Sequence, residues 1–257
     1  MSALEGQRVV VTRPAHQAES FAAALRAVGA TPILFPTIQI APIVDFAPLD
    51  YALLHLAEYD WLVFTSTNGV QIAVERMAVL GLTRARFPTT RIAAIGPATA
   101  NTLDKAGLHA DLVPPEYVAE SLFNVLNNTV ALTGRRVLLL RASEARPALL
   151  TLLRTAGAIV TQVDLYNTVR GAPPPEVFAE LNNAIDTVTF TSPLTVRYFA
   201  ELLGADAASI ARGTLAATIG PITAQALQQS ALPFRAQITA RRYTTAGLID
   251  ALLAAYP

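Results

Sequence analysis

The sequence predicts an α/β protein made of two similar parallel-sheet domains, and three observations predict it. Short runs rich in Val and Ile alternate with longer stretches of helical period, the pattern of a parallel sheet covered by helices. Motifs also recur once along the chain. Gly6 and Arg8 in GQRVVVTR match Gly134 and Arg136 in GRRVLLLR at a spacing of 128 residues, Ser66 in FTSTNGV matches Ser192 in FTSPLTV at 126, and Gly96 in IGPATA matches Gly220 in IGPITA at 124. So small a drift is loop length, so one α/β unit is duplicated, as opposed to a solenoid of short repeats. Finally, 257 residues that are 53% hydrophobic and 15% charged can bury cores for two domains of ordinary size.

In chain order, strands are expected at RVVVT, TPILFP, WLVFTS, RIAAIG, ADLVP, RVLLL, AIVTQVDLY, TVTFTS, LAATIG and FRAQIT, and helices between them. After the first strand, AESFAAALRAVG sets Phe21, Leu25 and Val28 on one helical face and stops at Gly29. After RVLLL, ARPALLTLLRTAG repeats this with Leu149, Leu150, Leu153 and Gly157. WLVFTS and TVTFTS each run straight into hydroxyl residues that open a helix: Thr65, Ser66 and Thr67 in one copy, Thr191 and Ser192 in the other. In IGPATA and IGPITA the glycine permits a sharp turn and the proline suits the first helical position. Thr99 and Thr223 then fall in the first turn. Two proline-bearing segments, TIQIAPIVDFAP (37–48) and YNTVRGAPPPE (166–176), are the candidate joints. The repeat alone does not settle how the copies connect.

The composition narrows the function. Basic and acidic residues balance at 19 each, so no global field recommends nucleic acid or an anionic membrane as partner. With no cysteine and three histidines, disulfides, thiol catalysis and cysteine-rich zinc sites lack support. His16, His55 and His109 are scattered and read as surface or satisfied residues. The uncharged stretch from Ala27 to Val44 carries Pro32, Pro36 and Pro42, which would break a membrane helix repeatedly. MSALEGQRVVVTR has no apolar core of a secretory signal, and the expected location is cytoplasmic. Neither a G-x-G-x-x-G turn nor a Walker A run is present, so nucleotide binding lacks its usual signatures.

The repeated turns have two readings. Each hydroxyl could simply cap a helix, worth about 1 kcal/mol. Yet all four turns lie at strand carboxyl ends, where open α/β sheets bind ligands and helix N-termini favour anions. Arg13 ends VVVTR and Arg141 ends VLLLR, again 128 residues apart. Beside such turns they could clamp carboxylates or phosphates in bidentate fashion, the alternative being arginines that snorkel to water.

The ordered set VVVTRP, YDWLVFTSTNGV, RIAAIGPATANTLDKAG, GRRVLLLRA, VDLYNTV, TVTFTSP, AATIGPITAQAL and TTAGLIDAL resembles the uroporphyrinogen-III synthase family over nearly the whole chain. The resemblance implies a cofactor-independent, cyclising lyase of heme and other tetrapyrrole biosynthesis. It would take hydroxymethylbilane, received by hand-over from hydroxymethylbilane synthase, lose water and close the ring with ring D inverted. It also implies a monomer of two flavodoxin-like domains, with the active site in an inter-domain cleft. Residues 1–37 and 172–257 would form the first domain and 41–165 the second, inserted one, with 38–40 and 166–171 as linker strands; simple tandem halves are the alternative topology. Matching motifs assign substrate binding to Arg13, Ser66, Thr99, Ser192 and Thr223, with Asn68 and Arg141 as further candidates. Tyr166 in VDLYNTV would be the catalytic donor to the departing hydroxyl, against a plain reading as a linker tyrosine that packs its ring and wets its hydroxyl. Two departures stand out: Leu194 where many relatives are small, and Ile222 where a hydroxyl is common. The competing class is a non-enzymatic two-domain protein that binds a polycarboxylate or phosphorylated metabolite.

Overall fold

The structure is a computed structural model that describes residues 4–256. Its elements in chain order are β1 (Arg8–Val11), α1 (Ala15–Ala27), β2 (Thr31–Leu34), β3 (Ile38–Pro42), α2 (Ala47–Leu54), β4 (Trp61–Phe64), α3 (Thr67–Val79), β5 (Arg91–Ala94), α4 (Pro97–Lys105) and α5 (Ala119–Thr129). There follow β6 (Arg136–Ala142), α6 (Ala148–Thr155), β7 (Ile159–Arg170), α7 (Pro175–Leu181), β8 (Thr187–Phe190), α8 (Pro193–Leu203), α9 (Asp206–Gly213), β9 (Leu215–Thr218), α10 (Pro221–Gln229), β10 (Ala236–Thr239) and α11 (Thr245–Ala255). Gly29 and Gly157, read as helix stops, lie at φ +89° and +84°, the left-handed turn that glycine adopts without strain.

Two five-stranded sheets result, ordered β10-β9-β8-β1-β2 and β3-β7-β6-β4-β5. The ladders β1·β2, β1·β8, β8·β9 and β9·β10 are parallel in the first, and β4·β5, β4·β6 and β6·β7 in the second. Compact units follow the sheets: one takes the chain up to Gln39 and from Val169 onward, the other Ile40–Thr168. Both boundaries fall inside β3 and β7. The first sheet, renumbered along its own unit, has the 2-1-3-4-5 order of flavodoxin-like sheets. Each sheet mixes the two sequence copies. Its β1 and β2 come from the first copy and its β8, β9 and β10 from the second, while β4 and β5 of the first copy join β6 and β7 of the second.

Alternation along the strands buries both faces. In β4, Leu62 and Phe64 enter one core with Val70, Ala73 and Leu103, while Trp61 and Val63 enter another with Leu122, Leu126 and Leu153. In β1, Val10 joins Phe190 and Phe199, while Val9 and Val11 join Phe21, Leu248 and Leu252. Threonines in this core satisfy their hydroxyls on backbone carbonyls: Thr12 donates to Thr189 O at 2.7 Å and Thr189 to Val10 O at 2.8 Å.

One expected strand does not form. ADLVP makes a single parallel bridge, Leu112 to Ala93, where the first unit carries the full strand β10. Pro114 closes the segment and Pro115 follows it, and neither can donate to a ladder. The segments read as a strand, AIVTQVDLY, and as a joint, YNTVR, are one continuous β7. No helix among the described residues is long and apolar enough to cross a membrane.

Backbones meet closely where β7 ends. Gly171 N donates to Thr37 O at 2.8 Å, and a Cβ on Gly171 would lie 2.1 Å from Pro36 O. Gly171→Ala must therefore push two main chains apart. It should cost about 1–3 kcal/mol, the range for overpacking, read as a lower urea midpoint at unchanged m-value.

Candidate functional site

Because the ladders are parallel, each unit gathers its strand carboxyl ends along one edge. In the second sheet the direction of winding reverses between β4, which leads to β5, and β6, which leads to β7; ligands bind in the crevice outside such a reversal. Ser66 stands there in extended conformation and caps α3, its Oγ accepting from Gly69 N at 3.0 Å. Gly69 keeps that oxygen accessible, since a Cβ at 69 would sit 3.1 Å from it. Asn68 lies in the same turn, Arg141 near the end of β6, and Thr99, 3% exposed, in the first turn of α4.

Tyr166 joins this group through a bulge. Arg141 pairs with Asp164 but Ala142 with Tyr166, one residue being extra on β7. In a regular strand consecutive side chains point to opposite faces; the bulge turns Tyr166 into the same core as Val163 and Leu165. The residue is 5% exposed, and its phenol donates to Ser66 Oγ at 2.9 Å. Asn68 also bonds the phenol. With the phenol proton committed to Ser66, the Asn68 amide meets an oxygen lone pair and supplies an N–H. Burial raises the Tyr166 pKa, the bonds to Ser66 and Asn68 draw it back, and the charge of Glu144 adds to the rise; the net direction is upward. Glu144 also accepts from Thr168 N at 3.0 Å, and Ser143 Oγ donates to Tyr166 O at 3.2 Å. Neither was singled out from sequence.

In the first sheet the winding reverses between β1 and β8. Arg13 follows β1 and Ser192 follows β8, while Thr223, 4% exposed, lies in the first turn of α10. Ser192 forms a complete capping box: its Oγ accepts from Thr195 N at 3.3 Å and Thr195 Oγ1 accepts from Ser192 N at 3.2 Å. The arginines are held differently from open clamps. Arg13 donates to Gln17 Oε1 at 2.7 Å with its Nε enclosed and unpartnered among the described residues, and burial lowers its pKa. Arg141 is 5% exposed and gives Nε to Ala142 O at 3.2 Å; burial lowers its pKa, opposed by Asp164. Thus Tyr166 touches both Ser66 and Asn68. Arg141 and Thr99 share their edge, and Arg13, Ser192 and Thr223 share the edge of the other sheet.

Tyr117 and Tyr243 were missed. A Cβ on Gly96 would meet the Tyr117 ring at 3.0 Å, and one on Gly220 the Tyr243 ring at 3.2 Å. Each glycine precedes α4 or α10 in extended conformation, so two rings lie against two helix starts. The signal was present as a further repeat, EYVAESL against RYTTAGL, 126 residues apart. Among the described residues no cluster of three or more His, Asp or Glu side chains could hold a metal ion.

Comparison with known proteins adds the chemistry. The sequence matches the family described as uroporphyrinogen-III synthase HemD over residues 19–250. It is 36% identical to a uroporphyrinogen-III synthase of Synechococcus elongatus over 256 residues, covering 97% of this chain and 95% of that one. It is 30% identical to a putative uroporphyrinogen-III synthase of Methanocaldococcus jannaschii, covering 95% and 97%. The fold is similar to a mutant uroporphyrinogen III synthase of Thermus thermophilus, with TM-score 0.62 and 22% identity over 95% of this chain and 97% of that one. It is also similar to the Helicobacter pylori synthetase, with TM-score 0.59 and 18% identity over 97% and 99%.

The Tyr166 environment sets a pH dependence. A group whose pKa rises on folding gives stability that is complete below the unfolded value, about 10 for tyrosine, and is lost as pH climbs through the higher folded value. Urea midpoints should therefore fall more steeply above about pH 10 in the wild type than in Tyr166→Phe. Equal slopes would show that the phenol titrates alike in both states.

Proposed function

The chain belongs to the uroporphyrinogen-III synthase family, and from that premise we propose how its residues carry out the reaction. The protein is a cyclising lyase that converts hydroxymethylbilane to uroporphyrinogen III, with loss of water and inversion of ring D. Loss of the hydroxyl leaves an electrophilic azafulvene that reacts with little help, and unguided closure gives the unturned isomer. The task of the protein is control of conformation. The acetates and propionates of the substrate are taken up at the starts of α3, α4, α8 and α10 by backbone N–H groups and by Thr99, Ser192 and Thr223, with Arg13, Asn68 and Arg141 contributing polar or positive groups and Ser66 binding the substrate through its one hydroxyl hydrogen. One substrate molecule engages the carboxyl edges of both sheets, in the inter-domain cleft of two domains joined by paired linker strands. Held so, the last ring attacks through its substituted carbon and forms a spiro intermediate.

Tyr166 is the source of the proton for the departing hydroxyl. The observation that carries this role is its buried phenol, hydrogen-bonded to Ser66 at 2.9 Å beside the reversal point of the second sheet. Burial favours the neutral phenol, so the proton is present at neutral pH. The family match favours catalysis over the binding-protein alternative. The reading further implies action as a monomer in the cytoplasm, with substrate handed over from hydroxymethylbilane synthase.

Incubation with freshly generated hydroxymethylbilane should yield the type III isomer in place of type I, resolved by chromatography after oxidation to porphyrins. Type I alone would overturn the reading. Tyr166→Phe should lower turnover by about tenfold to a hundredfold, at or below the lower part of the usual range for a general acid, while the isomer formed stays type III.

A further inference from the structure

The two copies differ at one chemical point. By the 128-residue spacing that pairs Arg8 with Arg136, the residue matching Tyr166 is Ile38, which is 7% exposed and apolar. By the 126-residue spacing that pairs Ser66 with Ser192, Gly69 matches Thr195. In the first unit Thr195 completes the capping box, so Ser192 is bound into a closed local pair. In the second unit glycine replaces that threonine, and the space beside Ser66 Oγ admits a phenol. The duplication has been altered on both partners of one hydrogen bond.

The valences of Ser66 decide what it can do. A hydroxyl oxygen has two lone pairs and one hydrogen. Gly69 N–H takes one lone pair at 3.0 Å and the Tyr166 phenol takes the other at 2.9 Å. Only the Ser66 hydrogen remains, so towards a third group this serine is a donor. The Tyr166 proton already points at Ser66.

Building on the proposed reaction, the geometry points to Ser66 as the group that protonates the leaving hydroxyl, relaying the proton of Tyr166. The Ser66 hydrogen passes to the hydroxyl oxygen of the substrate as the phenol hydrogen passes to Ser66 Oγ. The carbon–oxygen bond breaks with its electron pair on oxygen, which leaves as water, and the lone pair of the neighbouring pyrrole nitrogen fills the carbon, giving the azafulvene cation. Tyr166 is left as phenolate, its oxygen held by the Asn68 N–H. Ring closure releases one proton, which returns along the same two hydroxyls and restores the phenol. Ser192, which has no phenol partner among the described residues, takes no part in this transfer.

Steady-state kinetics on Ser66→Ala, Tyr166→Phe and the double variant test the relay. Members of one relay fail as a unit. Each single variant should lose kcat by a similar factor, about tenfold to a hundredfold, and the double variant should lose no more. Ser66→Thr, which keeps a hydroxyl, should recover kcat to within about threefold of wild type. Thr244→Ala controls for the lost cap, because Thr244 Oγ1 accepts from Gly247 N at 3.0 Å in the same way; it should keep wild-type kcat. Wild-type kcat in Ser66→Ala, a double variant whose loss is the product of the single losses, or a folded Ser66→Thr as slow as Ser66→Ala would each overturn the relay while type III product still forms in the wild type. A wild-type protein that forms no type III isomer would overturn the relay together with the reaction it rests on.

Discussion

A parallel sheet covered on both faces must pass every strand to a helix at the same edge, and the rest of this molecule depends on that constraint. The strands are short, and their side chains are committed to cores above and below the sheet: Leu62 and Phe64 to one side, Trp61 and Val63 to the other. Little polar chemistry fits inside. Polar groups that are to meet a ligand collect where strands end and helices begin, beside N–H groups that lack intrahelical partners. Ser66, Thr99, Ser192 and Thr223 all stand at such places. Where the winding reverses, each unit has two neighbouring strands, one ending near an arginine and the other leading to a serine: Arg13 and Ser192 in the first, Arg141 and Ser66 in the second.

Duplication supplied two such edges, and small substitutions made them unlike. The second edge has exchanged a threonine that would close the capping box for Gly69 and carries a tyrosine where the first carries Ile38. A one-residue bulge between Arg141 and Ala142 turns that tyrosine inward. Without the bulge, Tyr166 would face away from Leu165, and the bond to Ser66 could not form. The two rings over Gly96 and Gly220 show the opposite tendency: each copy keeps a tyrosine against a helix start, because a glycine N-cap leaves room for a ring to lie on the backbone.

The α/β class, the strands at RVVV, TPIL, WLVF, RIAA, RVLLL, TVTF, LAAT and AQIT, and the hydroxyl turns behind them were legible in the residues. Those features arise between near neighbours: side-chain alternation, glycine at a left-handed stop, proline at a first helical position. ADLVP misled because its apolar pattern is local, whereas ladder formation failed on Pro114 and Pro115 at its end. Tyr117 and Tyr243 were visible as a repeat but not as contacts, since a ring meeting a glycine from a later segment leaves no periodicity.

The sequence by itself determined that one α/β unit occurs twice and that serines, threonines and arginines stand at the carboxyl ends of its strands. It did not determine which copies share a sheet; the placement of β1 beside β8, and of β4 beside β6, is a pairing between residues over seventy positions apart. Nor did it determine that Tyr166 bonds to Ser66 across one hundred residues, or that Arg141 turns its Nε onto its own strand. The physical reason is that periodicity and turn chemistry report the next few residues, whereas strand order, bulges and the last free valence of a hydroxyl are set only when distant segments are brought together.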